Sequence, residues 1–403
     1  MTDWLSGENL YRDVVSYHRM SDHRTGGEGD AATTEWVATE LGRAGLKVDF
    51  QDFSLRQFAV GRKHLYVAGE EIACFPWWYP RATGPKPVTG PLVSADAPSR
   101  RLAGSIVLLT PGSGPPDSLA AVREQVAALA AAGARAVLAV SRGPSGRIVA
   151  INTADDAAPW PVPVMLVARD DEDRLVEAAH AAADTSLLVE GEDIAEARSR
   201  NVFGRHDAGN DFIVVSTPTS GWFDCGGERG PGVALALALA RWVGDRPQPV
   251  AERRPPASYW FDFNSGHERL NLGTRLFLQH RAPPPERVRC WLHLGANIAT
   301  WDHVESATGI TLRAAPEKYP VVCSGEDTLA PVAAAFAGSG VAPYVGPGIG
   351  ELGPVLEAGY RGFGVYGGRY RYFHTPGDGP EGTAPELLEP VARATARALM
   401  AVE

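Results

Sequence analysis

The densest run of side chains able to do chemistry lies between residues 211 and 274. An apolar run, Asp211-Phe-Ile-Val-Val-Ser216, ends in Thr217-Pro-Thr219-Ser220. Trp222 and Cys225-Gly-Gly-Glu228-Arg229-Gly-Pro-Gly232 come next, ahead of the smooth apolar stretch Val233 to Trp242. A second apolar run, Tyr259 to Phe263, leads into Gly266-His267-Glu268. An imidazole beside a carboxylate suits proton transfer, since a free imidazole titrates near about pH 6.5. Arg229 adjoins Glu228 and can pair with it through a planar fork of donors. Late in the chain, Tyr370 to Phe373 precede His374-Thr375-Pro-Gly-Asp378 and bring a further imidazole with Tyr372 beside it. Cys225, beside a Gly-rich helix start, is either a thiol of lowered pKa or an inert buried one. No Gly-x-Ser-x-Gly elbow occurs, which argues against a serine hydrolase. Gly346-Pro-Gly348-Ile-Gly350 lacks the strand and helix that a nucleotide loop needs.

Elements that position these residues follow from hydrophobic patterning. Strand, polar loop, Gly-rich turn, helix, strand and His-Glu form an order that assembles an α/β hydrolytic site at the carboxyl ends of parallel strands. Residues 1–54 read as a helix with Leu10, Val14 and Tyr17 on one face, a Gly loop, a second helix over about 30–44, and a strand over 46–50. Residues 55–198 change character, with Pro- and Gly-rich loops, an aromatic segment Cys74-Phe-Pro-Trp-Trp-Tyr, strands near 102–109, 133–140, 161–167 and 186–189, and helices over 120–132 and 171–183. Residues 199–403 return to alternation, with strands near 211–216, 259–263, 288–294 and 362–366 and helices near 231–243, 271–280, 327–338 and 383–401. Segments 244–257 and 281–287 read as surface connections. The pattern predicts an α/β fold with a mostly parallel sheet flanked by helices. His293 lies on the apolar 288–294 run, where it either faces the site or is satisfied inside the core.

At 403 residues the chain suits two domains, and 44% hydrophobic with 21% charged residues is ordinary for an enzyme-sized globular protein. A net charge of −10 argues against nucleic acid as a partner, which would need a basic patch. No run of about 18 apolar residues occurs, so no membrane partner is expected. The acidic start has no apolar leader, and four scattered cysteines without a CxxC do not make a disulfide framework. A soluble protein in a reducing cytoplasmic setting is expected.

Taken together, these motifs resemble the M28 family of zinc aminopeptidases and their glutaminyl-cyclase relatives, over nearly the whole chain. The 55–198 stretch, through Leu102-Ala-Gly-Ser-Ile-Val-Leu-Leu, Ala130-Ala-Ala-Gly-Ala-Arg-Ala-Val and Val162-Pro-Val-Met-Leu-Val, resembles an inserted protease-associated domain that caps a site or binds partners. The resemblance implies two zinc ions sharing a bridging carboxylate, with a Glu-Glu pair giving general base and ligand. Carried over, the first His falls on Thr217 and its Asp partner on Thr219. The bridging carboxylate falls on Glu228, followed by Arg229. The Glu-Glu pair falls on His267 and Glu268, a further ligand on Gly295, and the last His on His374. Glu351 stands near a turn that supplies a supporting acid. The ligands of one ion are therefore gone, while Glu228, Glu268 and His374 remain as groups that bind zinc. One His and two carboxylates with an open position make a sound catalytic set. His267 then stands as acid/base group, and Arg229 competes with a cation for Glu228.

The resulting expectation is an enzyme acting on a small-molecule or peptide substrate bearing an amide or amine. Its cofactor is one zinc ion on Glu228, Glu268 and His374, or none. Catalysis falls to His267, Glu268, Arg229 and Thr217, and substrate contact to Trp222, Cys225, His293, Glu351 and Tyr372. Two alternatives stay open: an inactive binding module, and metal-independent acid/base chemistry such as cyclisation or transfer in the same cleft.

Overall fold

The computed structural model describes residues 2–110, 119–154, 157–246, 256–306, 309–313 and 321–403. The chain divides into two compact units, Met1–Ser54 with Arg198–Glu403, and Leu55–Ala197. It passes from the first to the second and back in two long strands, Lys47–Val67 and Asp184–His206. The sequence pattern shows only the 46–50 and 186–189 parts of these strands. Their middles carry many charged and polar side chains and include exposed positions, so the two-residue alternation is blurred.

The first unit is built on a sheet whose centre is four parallel strands, in the order Gly362–Val365, Val288–Leu294, Phe212–Pro218, Ser258–Asn264. They read as nearly continuous apolar runs, the mark of strands buried on both faces. Antiparallel neighbours close both sides. Residues 202–206 pair with Ser258–Asn264, and Val321–Cys323 pairs with Gly362–Val365. The sheet is therefore mixed, and Val321–Cys323 is too brief to show periodicity in the sequence. Helices Gly230–Gly244, Leu272–His280, Glu326–Phe336 and Pro385–Val402 lie where the apolar patterning places them.

Helix Gly230–Gly244 is the hub of this core. Val233 through Ala240 are each at most 2% exposed, which explains why the segment is apolar all round and not amphipathic. Gly230 sits where a Cβ would come within 2.9 Å of Val14 Cγ1, so a glycine there lets helix Gly7–His18 pack close. Parallel registry then sets the chemistry. Thr217 lies opposite Phe263, and Ser216 opposite His293, so the loops after all three strands leave from one edge.

The second unit carries its own parallel strands, Val88–Ser94, Ile106–Leu109, Ala136–Val140 and Val164–Val167 in that order, with Cys74–Pro76 antiparallel to the last. Val107, Val137 and Leu166 pack with Trp77 and Trp160, whose rings lie 5.0 Å apart. Residues 247–255, within the segment read as a surface connection, lie outside the described residues.

Candidate functional site

Three loops at the carboxyl edge of the first unit's sheet bring the site together. Glu228 sits in the tight turn that opens helix Gly230–Gly244. That turn is held by Asp378, whose two carboxylate oxygens accept the Gly227 and Glu228 N–H groups, each at 2.9 Å. Tyr370 donates its hydroxyl to the same Asp378. The loop carrying His374 is thereby tied to the turn carrying Glu228. The His374 N–H donates to Glu228 Oε2 at 3.2 Å, and His374 Nε2 lies 3.3 Å from Oε1. His374 adopts a left-handed backbone, φ 56°, a conformation non-glycine residues hold mainly where the surroundings require it.

His267 arrives from the other side, on the short 3-10 turn His267–Arg269 after strand Ser258–Asn264. Gly266 at φ 92° and Leu270 and Asn271 in left-handed conformations make this turn sharp. Glu351 holds the ring, with Oε1 2.6 Å from His267 Nδ1. The other Glu351 oxygen lies 3.5 Å from His293 Nε2, and His293 Nδ1 lies 3.1 Å from Ser216 Oγ. Trp291 donates its indole N–H to that same hydroxyl at 2.8 Å. A buried chain of contacts thus runs from the sheet centre to the imidazole of His267.

Glu228, His267 and His374 each offer a ligand atom within 4.8 Å of the others, and among the described residues this is the group able to hold one metal ion. The expected set of Glu228, Glu268 and His374 is corrected at one position. Glu268 Oε1 accepts the Thr25 N–H at 2.7 Å, and Oε2 accepts the Ser220 hydroxyl at 3.0 Å. Ser220 Oγ in turn accepts the Gly266 and His267 N–H groups at 2.8 and 3.1 Å. Glu268 therefore secures the turn that presents His267, and His267 stands in its place in the group able to hold an ion.

The structure gives the other expected site residues the following surroundings. Thr217, expected to be catalytic, donates its hydroxyl to Leu294 O at 3.0 Å and is buried. Cys225, expected to contact substrate, is fully buried and donates to Trp222 O at 2.7 Å. Burial pushes its thiol pKa well up, with Glu228 and Asp378 adding to the rise, which is the reverse of an activated thiol. Trp222 is buried at 2% exposure. His293 and Glu351 are buried members of the network described above. Tyr372 is half-buried two residues before His374, its ring 6.0 Å from that of Tyr370. Asp378 is not among the residues expected from sequence. Its signal is an acid four residues after the late histidine, across a Pro-Gly turn. The stacking of Phe373 on the His374 ring, at 3.9 Å, likewise emerges only from the folded loop.

Arg229 meets Glu228 as the sequence suggests. Its Nη2 lies 2.9 Å from Glu228 Oε1, with both side chains 1% exposed. The contact is short but off the N–H axis, so it is an ion pair without a formed hydrogen bond. Burial works to raise the Glu228 pKa, but His374 and Arg229 outweigh it and hold the carboxyl down at about 2. Burial likewise opposes ionisation of Glu351, yet His267 and then His293 keep its pKa well below the ordinary carboxylate value. Both acids are thus carboxylates near neutrality.

One carboxylate and two imidazoles match the donors of a catalytic zinc site, and the Glu351 contact to the far side of His267 is the usual support of such a ligand. Around this group, three positions are already filled. Thr217 is engaged with Leu294 O, Arg229 brings its own positive charge, and the Tyr366 ring lies where a side chain at Gly295 would project, 2.2 Å from an added Cβ.

No family model matches the sequence, and no curated protein matches it. Solved structures do match. A zinc aminopeptidase from Bacillus subtilis aligns over 98% of this chain and 94% of its own, with TM-score 0.73 and 17% identity. A peptidase M28 precursor from Shewanella amazonensis aligns over 98% and 96%, with TM-score 0.74 and 16% identity. A glutaminyl cyclase from Porphyromonas gingivalis aligns over 99% of both chains, with TM-score 0.51 and 10% identity. The chain has the mixed α/β fold of M28-type zinc aminopeptidases.

Proposed function

We propose that this protein is an enzyme acting on a small amide substrate, as a hydrolase or a cyclase, with one zinc ion held by Glu228, His267 and His374. The observation that carries this reading is the convergence of those three side chains within 4.8 Å, with Glu351 2.6 Å from the far nitrogen of His267. A zinc ion bound there supplies Lewis-acid polarisation of a carbonyl and a water of lowered pKa.

The chain's own residues do the rest. Ionised Glu351 can only accept, so His267 Nδ1 is the donor in their contact. Asp378 and Tyr370 fix the turn of Glu228. Glu268 and Ser220 fix the peptide of His267. Arg229 places a permanent positive charge beside the reacting centre, where developing negative charge on a substrate oxygen is stabilised. Glu228 and Arg229 are buried, and His267 and His374 keep only 8% and 7% exposure, which suits a small group entering a largely dry site.

A metal-free variant of the same site is favoured by one observation: Arg229 already provides a cation 2.9 Å from Glu228 Oε1. In that variant the Glu351–His267 pair is the base and Arg229 the oxyanion partner. Zinc analysis after saturating supply separates the two. The one-zinc reading expects one zinc per chain in the natural protein and in Glu268→Gln, and none in Glu228→Gln or His374→Ala. A natural protein that takes up no zinc removes the metal and leaves the Glu351–His267 base. The match of the zinc aminopeptidase and the glutaminyl cyclase supports amide chemistry in either case. We also propose that Leu55–Ala197 is a protease-associated-type insert. The four free, buried cysteines support a reducing cytoplasmic location.

A further inference from the structure

Arg229 is 1% exposed, and its Nε and Nη2 atoms have no hydrogen-bond acceptor. Buried donors are nearly always paired, so an orphaned guanidinium edge in a functional site needs an explanation. Glu228 Oε1 lies 2.9 Å from Nη2 but is not aligned with an N–H, and that oxygen is itself without a hydrogen-bond donor. The fork therefore stands beside the metal-ligating group with donors to spare. A guanidinium only donates, cannot lose its proton near neutrality, and prefers the paired oxygens of a carboxylate or the lone pair of an acyl oxygen.

We infer that Arg229 is a substrate-binding residue that receives an acceptor oxygen next to the reacting amide. The substrate class is then an amide carrying a carboxylate or acyl oxygen near the scissile bond, and not one recognised by a free amino terminus. A free α-amine is protonated over much of the neutral range, offers the fork no acceptor and is repelled by its charge. The inference rests on the proposed enzymatic site but not on which metal state that site uses.

Titration calorimetry tests it on the zinc-supplied protein, with N-acetylglycine as the acceptor probe and glycinamide as the amine probe. The expected result is binding of N-acetylglycine with glycinamide at least about tenfold weaker. Arg229→Lys, which keeps the charge and loses the fork, weakens N-acetylglycine by about tenfold, the loss of one charged hydrogen bond. Glycinamide binding as well as N-acetylglycine, no binding of N-acetylglycine, or an unchanged Arg229→Lys overturns the inference. The natural protein alone decides the first two outcomes if the variant does not fold. Zinc content measured on the same samples separates the readings. The probe preference without zinc sinks only the one-zinc reading, and zinc without the preference sinks only this one.

Discussion

Glu351 Oε1 lies 2.6 Å from His267 Nδ1, and this contact decides which nitrogen of His267 faces Glu228 and His374. Neither ring orientation nor tautomer is set by His267 itself. Glu351→Gln is expected to leave the fold intact and weaken zinc binding by roughly 10- to 100-fold, the usual effect of removing a carboxylate behind a ligating histidine. Competition against a fluorescent chelator measures it. Unchanged affinity means that Glu351 does not orient the ligand.

Asp30 gives the clearest pH dependence. Burial raises its pKa from 3.8 to about 6, against hydrogen bonds from Ser265, the Gly26 N–H and Ser199. The folded state thus holds this proton more tightly than the unfolded chain. Its contribution to stability is complete below about pH 3.8 and is lost as pH rises towards 6, amounting to roughly 3 kcal/mol at most. Glu228 acts in the opposite sense and in a lower window, its contribution present above 4.5 and lost as pH falls towards 2. Thermal melts between pH 4 and 6 should therefore show a component of decline that disappears in Asp30→Asn. An identical slope in both proteins rejects the assignment.

Gly295 is a steric necessity. An alanine there would place its Cβ 2.2 Å from the Tyr366 ring, whose hydroxyl is anchored on Ile349 O at 2.7 Å. Gly295→Ala is expected to cost roughly 1–3 kcal/mol through overpacking, read as a lower denaturant midpoint. Tolerance of the methyl group would mean that Tyr366 is free to swing away and that a second ligand has room.

The cysteines should be silent in the native protein. All four are free and buried, and burial pushes the thiols of Cys74, Cys290 and Cys323 up to about 11, 12 and 12. Iodoacetamide should label none of them natively and all of them after denaturation, counted by mass spectrometry. Native labelling of Cys225 would restore the reading of a lowered-pKa thiol that its bond to Trp222 O argues against.

Much of the fold is legible in the chain because long apolar segments carry it. The Val233–Trp242 run had to be a buried helix, and the runs at 259–263 and 288–294 had to be interior strands, since no other placement hides so much apolar surface. The short antiparallel edges and the long charged strands were not legible, because pairing partners and not periodicity define them. Within the site, Glu228, Arg229, His267 and His374 were named from residue type and order. Their supports, Asp378, Ser220 and Thr25, were missed because each acts through a backbone group far away in sequence.

By itself the sequence determined which chemical groups are present at the carboxyl edge of the sheet. Only the tertiary structure decided which of two neighbouring residues, His267 or Glu268, joins Glu228 and His374. Adjacent residues on a tight turn project in different directions, and the turn's left-handed positions and its hydrogen bonds to Ser220 set that direction. The same holds for Thr217 and Cys225. Their side chains have the composition of a reactive site, and their hydrogen bonds to the carbonyls of Leu294 and Trp222 are supplied by the fold.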